Sequence, residues 1–126
     1  MTASARVAGS ADARPAHLHP NAYSELVAAL EQEKRSLTVQ LAALEADLQE
    51  LPASSADDVA ERDRAELLAS LTRDSLDSVQ AALDRAATGT FGRCTGCGGP
   101  IPAERLQAVP DAQHCVSCPP VRRRLG

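Results

Sequence analysis

The sequence is poor in aromatic residues. It has no tryptophan, and Tyr23 and Phe91 are its single tyrosine and single phenylalanine in 126 residues. Large rings supply much of the apolar area of a wide globular core, and single-stranded nucleic acid stacks on them. We therefore expect neither a broad core nor a stacking surface for nucleic acid.

Long apolar runs are also lacking. No stretch approaches the roughly 18 apolar residues of a membrane span, and the N-terminal residues lack the apolar segment of an export signal. The formal net charge of −4 argues against a surface for duplex DNA. These absences predict a cytoplasmic protein without a membrane segment and without direct DNA binding.

The chain is instead rich in leucine and alanine at helical spacing. Asn21 is a candidate N-cap, and Pro52 ends the first helical pattern. The step of eleven residues from Leu30 to Leu41 predicts a stutter in the heptad repeat. The predicted seam of this first helix consists of Tyr23, Leu26, Leu30, Leu37, Leu41, Leu44, Leu48 and Leu51.

A second helix is predicted from about Ala56 to Ala87. Ser55 and Asp58 resemble a capping box, and Gly89 supplies a C-terminal stop. Two such helices form an antiparallel coiled-coil hairpin with arms of about 45 Å, and residues 52–58 form its turn, which we call the tip. The predicted seam of the second helix, with its own stutter, consists of Ala65, Leu68, Thr72, Leu76, Val79, Leu83 and Ala86.

All four cysteines lie near the C-terminus, in two Cys-x-x-Cys pairs. Cys94 and Cys97 form the first pair, Cys115 and Cys118 form the second, and seventeen residues separate them. Two such turns supply the four thiolates of a closed, structural zinc site, whereas a catalytic zinc site keeps an open position. Two disulfides or a thioredoxin-like redox pair are the alternatives, but an export signal and a βαβ pattern are lacking.

These patterns divide the chain into four predicted segments and a mainly α fold. Residues 1–20 form a disordered N-terminal arm, 21–88 the hairpin, 89–120 a small four-cysteine zinc finger and 121–126 a basic tail. We interpret His17 and His19 as solvated residues of the arm.

Together, the hairpin and the finger resemble the DksA/TraR family of four-cysteine zinc-finger transcription regulators. The resemblance covers about residues 21–118. It implies a non-enzymatic bacterial regulator that binds RNA polymerase directly and inserts its coiled coil past the rim of the secondary channel, toward the active centre, to modulate initiation. The specific residues are Gly89-Thr90-Phe91-Gly92-Arg93-Cys94, Cys97-Gly98, Pro100-Ile101, Glu104-Arg105-Leu106, Pro110 and Cys115-Val116-Ser117-Cys118.

The resemblance also implies roles for residues at the tip and at a nucleotide site. The family's tip motif is Asp-x-x-Asp-x-Ala. Asp58 and Ala60 match its second half, Ser55 replaces its first acid, and Asp57 stands beside Asp58. The expected polymerase-acting residues are Asp57, Asp58 and Ala60. We expect weak or no cooperation with the alarmone ppGpp, because phosphate cannot form an ion pair with the side chains at the corresponding positions, which are Ser78, Val109 and Pro119.

Two other function classes stay open from the residues alone. A nucleic-acid-binding zinc ribbon would use Arg93, Arg105 and the cluster Arg122 to Arg124. A redox-sensitive coiled-coil adaptor would release zinc when its thiolates are oxidised. The leading prediction is a monomer that binds RNA polymerase and holds one zinc ion.

Overall fold

A computed structural model describes residues 14–52 and 55–118. These ranges contain three helices, which are α1 (Pro20–Glu50), α2 (Ala56–Thr88) and α3 (Ala103–Ala108). Outside the helices, the described backbone has one isolated antiparallel bridge, between Arg93 and Pro100. The fold is mainly α, as predicted. None of the helices in these ranges has both the length and the apolarity needed to cross a membrane.

The two long helices, α1 and α2, contact each other as an antiparallel hairpin. Near the start of α1, the Tyr23 hydroxyl donates to the carbonyl oxygen of Ala86, near the end of α2, at 3.4 Å. Near the end of α1, the Leu48 carbonyl oxygen accepts from Arg62 Nη1, near the start of α2, at 3.0 Å. The partner on α2 moves back along the chain as the residue on α1 moves forward, so the predicted hairpin is confirmed.

Side chains cap the starts of both long helices. Pro20 occupies the first position of α1, and Nδ1 of His19 accepts the N–H of Asn21 at 3.1 Å. The N-cap of α1 is therefore His19, and the prediction of Asn21 was wrong by two residues. At the start of α2, Ser55 Oγ accepts the N–H of Asp58 at 3.1 Å, which confirms Ser55 as the cap.

A glycine in the left-handed conformation ends α2. Gly89 has a φ of 88°, and the N–H of Thr90 bonds to the carbonyl oxygen of Arg85 at 2.9 Å. This bond closes the turn of a Schellman motif. Because a side chain resists that φ, Gly89 fixes the direction in which the chain leaves the helix.

The seam of α1 agrees with the prediction. Glu33 and Lys34, which the eleven-residue step crosses, are both exposed. The members of the seam that are buried are Tyr23, Leu26, Leu30 and Leu37, and those that are half-buried are Leu41, Leu44, Leu48 and Leu51.

The seam of α2 differs from the prediction at one position. Leu68 is 53% exposed, whereas its neighbour Ala69 is 2% exposed. Neighbouring residues point about 100° apart around a helix, so only one of the two can face α1. With Ala69 in the seam, steps of four and three alternate from Ala65 to Ala86, and the predicted stutter of α2 was therefore wrong.

The chain separates into two compact units. One contains the described residues up to Glu31 and from Ala81 onward, and the other is Gln32–Gln80. The second unit buries Leu37, Ala69 and Val79. The first unit contains the larger core, which includes Leu18, Tyr23, Leu26, Leu30, Ala82, Ala86, Phe91, Ile101 and Leu106.

Residues 14–19 depart from the predicted disordered arm. Pro15 and Leu18 are buried, and His17 Nε2 lies 2.7 Å from the carbonyl oxygen of Ile101 in the finger. His17 is therefore bound to the finger and not simply solvated. This segment adds apolar surface to a finger that has few large apolar residues of its own. Residues 1–13 and 119–126, with the rest of the predicted arm and the basic tail, lie outside the described ranges.

Candidate metal centre and hairpin tip

The two cysteine pairs meet in one cluster. The sulfur atoms of Cys94, Cys97, Cys115 and Cys118 all lie within 4.8 Å of one another, and those of Cys97 and Cys115 are 3.8 Å apart. All four thiols are free. Sulfur ligands placed tetrahedrally at about 2.3 Å from a zinc ion lie about 3.8 Å from each other. The cluster therefore has the size and the donor atoms that a zinc ion requires.

Backbone hydrogen bonds shape the first Cys-x-x-Cys turn. The N–H of Cys94 donates to the carbonyl oxygen of Gly99 at 2.7 Å, and Gly98, with a φ of 78°, turns the chain. The N–H groups of Gly96 and Gly99 point at the sulfurs of Cys94 and Cys97, at 3.3 and 3.4 Å. Donors aimed at sulfur favour the thiolate, so this turn is preorganised for anionic ligands.

Three hydrogen bonds tie the second cysteine turn to the first turn and to α3. The N–H and Oγ1 of Thr95 both donate to the carbonyl oxygen of Gln113, at 2.8 and 3.2 Å. On α3, Nε of Arg105 donates to the carbonyl oxygen of His114 at 3.0 Å. Leu106, which is fully buried, anchors α3 in the core. These contacts hold the segment before the second turn beside the first turn.

Two of the four thiols have strongly shifted acidities. The backbone N–H of Cys115 lowers the pKa of Cys94 to about 6. Hydrogen bonds with the sulfurs of Cys97, Cys115 and Cys94 raise the pKa of Cys118 to about 12. A divalent cation allows all four groups to be thiolates together, because its positive charge takes the place of the protons that the thiols would otherwise hold.

The sequence did not predict the burial of Arg85 in this unit, and a second polar residue, His114, adjoins Cys115. His114 lies outside the cysteine cluster, with Nε2 3.2 Å from Oγ1 of Thr95. Nε and Nη2 of Arg85 are buried without a hydrogen-bond partner in the part of the chain that the structure describes. Burial lowers the pKa of Arg85, while the charge of Asp111 raises it. An arginine near the end of a helix gives no sequence signal for such burial.

The predicted acidic residues of the tip lie in the first turn of α2. Asp57 and Asp58 occupy that turn, where the partial positive charge of a helix N-terminus favours carboxylates. Asp57 and Ala60 are exposed, and Asp58 is half-buried. These residues belong to the Gln32–Gln80 unit, whereas the cysteines belong to the other unit. Residues 53 and 54 lie outside the described ranges.

Comparison with known proteins identifies the finger and the hairpin. Residues 89–119 match the model of the prokaryotic dksA/traR C4-type zinc finger. The structure of transcription factor DksA2 from Pseudomonas aeruginosa matches with a TM-score of 0.69 and 25% sequence identity, over 77% of this chain and 79% of that one. The chain thus carries a finger of the DksA/TraR type and has a fold like that of DksA2. The DksA/TraR resemblance of the sequence and the predicted fold class are both confirmed.

The cysteine cluster also fits the metal of the matched finger. The family finger is of the C4 type, and the four clustered cysteines fit one structural zinc ion.

An uncharacterized protein of Aquifex aeolicus (strain VF5) is 39% identical over 44 residues, which are 35% of this chain and 30% of that protein. The matched segment thus covers less than a third of that relative's length.

Proposed function

We propose that this protein is a DksA/TraR-type regulator that controls transcription by binding RNA polymerase directly, and that it is not an enzyme. The observation that carries the proposal is the presence, in one chain, of the family's C4 finger and a hairpin like that of the transcription factor DksA2. The cytoplasm, where polymerase acts, stays the predicted location.

In this proposal, the four cysteines Cys94, Cys97, Cys115 and Cys118 hold the zinc ion. When bound, the ion supplies a covalent-strength link between two turns that bury few large apolar residues. Four thiolates close the coordination shell and leave no position for a substrate, so the role of the site is structural. Thr95 and Arg105 position the second turn for this link through the bonds described above.

We place the regulatory action at Asp57, Asp58 and Ala60. The rim of the polymerase secondary channel would contact the hairpin, and the tip would point toward the active centre. Ser55 stands where the family motif has its first acid, but its hydroxyl caps α2 and keeps Asp58 in the first helical turn. The exposed Asp57 offers a second carboxylate beside Asp58.

We also propose that ppGpp acts weakly or not at all at the site carried by this chain. Ser78 is half-buried and Val109 is 41% exposed, and neither side chain carries a positive charge for phosphate. Pro119, the third corresponding position, lies outside the described residues.

A nucleic-acid-binding ribbon gains less support from the described arginines. Nε of Arg105 is used in the internal bond to His114. Arg93 is exposed, but an isolated arginine does not make the basic stripe that duplex or single-stranded binding requires. Arg122 to Arg124 lie outside the described residues.

The direct test measures initiation with the polymerase of the same organism. We expect the zinc-loaded protein to bind the enzyme and to change the lifetime of promoter open complexes. Asp58→Asn should keep the helical content and the polymerase affinity while reducing the effect on lifetime about tenfold or more, because a carboxylate acts at the reaction centre. Ser55→Asp should increase the effect, because it restores the first acid of the motif and still caps the helix.

Asp63→Asn is the matched control for these variants, because Asp63 is an exposed acid of the same helix outside the motif. It should behave as the parent protein. Unchanged open-complex lifetimes together with no detectable polymerase binding would remove the proposed function. Equal activity of Asp58→Asn and the parent would remove only the assignment of the tip.

A further inference from the structure

Three leucines of α2 are exposed within the Gln32–Gln80 unit. Leu67, Leu68 and Leu71 are 58, 53 and 53% exposed. Leu67 and Leu71 lie about 40° apart around the helix, on the side opposite the buried Ala69 and the half-buried Leu76. Apolar side chains grouped on one exposed face mark a contact with another molecule.

These leucines belong to a second heptad stripe, which we call the outer stripe. It lies on the face of α2 away from the hairpin seam, and its members follow each other at steps of four and three residues. The outer stripe consists of Ala60, Arg64, Leu67, Leu71, Asp74 and Ser78.

The order of residues in the outer stripe is self-complementary. The positions are symmetric about Ala69, so a copy of the stripe running in the opposite direction places Leu67 opposite Leu71 and Arg64 opposite Asp74. The leucines then meet at the centre, and opposite charges meet on both sides of them. A parallel copy would instead place Arg64 opposite Arg64 and Asp74 opposite Asp74.

We propose that the outer stripe binds the outer stripe of a second copy of this chain, α2 against α2, antiparallel about a twofold axis near Ala69. A twofold axis forms each contact twice, so two Leu67–Leu71 contacts and two Arg64–Asp74 ion pairs result. In this dimer, Leu68 at the edge of the stripe contacts Leu68 of the second copy. The oligomeric state would then be a dimer and not the predicted monomer. This proposal does not depend on the proposed function.

The charges of the outer stripe favour a second copy over an unrelated partner. Arg64 and Asp74 are exposed, while the ion pairs found in the described part of α2 use Arg62 and Arg73. A partner of another kind would need neither the mirrored order nor the opposite signs at equal distances from the centre.

The proposed dimer is weak. Two helices pairing over this length bury less than the roughly 1,600 Å² of a standard interface, and we expect a dissociation constant on the order of 100 μM. Asp63 and Asp77 face each other along one edge of the antiparallel pair, and this repulsion lowers the affinity further.

The test is sedimentation equilibrium of the zinc-loaded full chain at low ionic strength, from about 10 μM to about 1 mM, which brackets the expected constant. Leu71→Ser should weaken association about tenfold or more. Arg64→Asp and Asp74→Arg should each weaken it similarly, because each variant places like charges opposite each other twice. An equimolar mixture of these two variants should associate again, because both ion pairs form between the two different chains.

Val39→Ser is the control, because Val39 is 69% exposed on α1 and lies outside the stripe. It should associate as the parent does, and circular dichroism should show equal helical content for all variants. A chain that stays monomeric at about 1 mM contradicts the proposal, as does a mixture of charge variants that does not recover. A monomeric parent whose polymerase affinity falls in Leu71→Ser would assign the face to polymerase and overturn the proposal.

Discussion

The two aromatic residues of the chain meet in the core of the first unit. The rings of Tyr23 on α1 and Phe91 after α2 pack edge to face, with centroids 5.7 Å apart and planes at 69°. Phe91 is 1% exposed and precedes the buried Cys94 by three residues. The aromatic contact therefore links the start of α1 to the entry of the finger. Because the chain has one tyrosine and no tryptophan, Tyr23 is also a reporter of this contact.

Tyr23 should ionise at an unusually high pH. Burial raises the pKa of Tyr23 above its ordinary value of 10.0. The unfolded chain ionises first, so stability is unaffected well below pH 10.0 and falls as pH rises from that value toward the folded pKa. Absorbance of tyrosinate should show a midpoint above 10.0 in the native protein and near 10.0 in denaturant. A native midpoint at or below the denatured one would contradict the burial.

Gly92 and Gly98 should respond differently to a methyl group. Both have positive φ, of 81° and 78°, but a Cβ on Gly92 would lie 2.9 Å from Cγ of Pro15, whereas a Cβ on Gly98 meets nothing within 4 Å. We expect Gly98→Ala to lower the free energy of unfolding by about 1–2 kcal/mol and Gly92→Ala by more. Thermal unfolding of both variants measures the difference.

The same experiment in a Pro15→Ala background isolates the contact with the N-terminal segment. Without Cγ at position 15, Gly92→Ala should cost about as much as Gly98→Ala, as in a double-mutant cycle. Equal costs of the two glycine changes in the parent background would mean that Pro15 does not pack on Gly92.

At the scale of helices and turns, regular spacing was the part that the sequence predicted well. Leucines at steps of three and four defined α1, and Ser55 and Gly89 marked the ends of α2, because caps depend on local residue types. The pattern was ambiguous at Leu67–Ala69, where large and small apolar residues are adjacent. Leu68 was predicted to lie in the seam because its side chain is the larger one. In the structure, the uninterrupted heptad places Ala69 there instead.

The shifted seam predicts unequal costs of truncation along α2. Val79→Ala removes methyl groups from a side chain that is 4% exposed and should lower the free energy of unfolding by about 1–2 kcal/mol. Leu68→Ala truncates a half-exposed side chain and should cost about 0.5 kcal/mol or less at concentrations of a few micromolar. Urea unfolding followed by circular dichroism compares the two. A larger cost for Leu68→Ala would return Leu68 to the seam.

The candidate site was predictable in its donors but not in its surroundings. The Cys-x-x-Cys spacing identified all four clustered sulfurs, because two such turns have few other uses in this context. The packing of Pro15 and Leu18 was not predictable, since two apolar residues in an irregular segment have no period. The burial of Arg85 was equally hidden, because it arises from contacts distant in sequence.

For the whole molecule, the zinc site and the tip lie in different compact units of one chain. The cysteines contribute to the unit that also contains the start of α1 and the end of α2, and the tip residues belong to Gln32–Gln80. In the proposed function, the unit with the cysteines therefore has a structural role, and the Gln32–Gln80 unit acts on polymerase. A perturbation of the zinc site should first appear in the unit that contains the cysteines.

Removal of zinc should unfold the finger and expose Tyr23. A structural zinc site of thiolates contributes on the order of 10 kcal/mol to folding, and the finger has few large apolar residues to replace it. After chelation, amide exchange should accelerate between Cys94 and Cys118, and the tyrosinate midpoint should fall toward 10.0. Zinc added back should restore both, and an unchanged exchange pattern in metal-free protein would exclude a structural role.

The most direct measurement of the central claim is crosslinking from the tip to RNA polymerase. A photoreactive amino acid replaces Asp57, which is exposed in the first turn of α2, and a second variant carries it at the exposed Val39 of α1 as a control. We predict that position 57 crosslinks to polymerase segments lining the secondary channel near the active centre and that position 39 does not reach them. Binding without a crosslink from position 57 to the channel, or crosslinks only to the outer surface of polymerase, would contradict insertion of the hairpin.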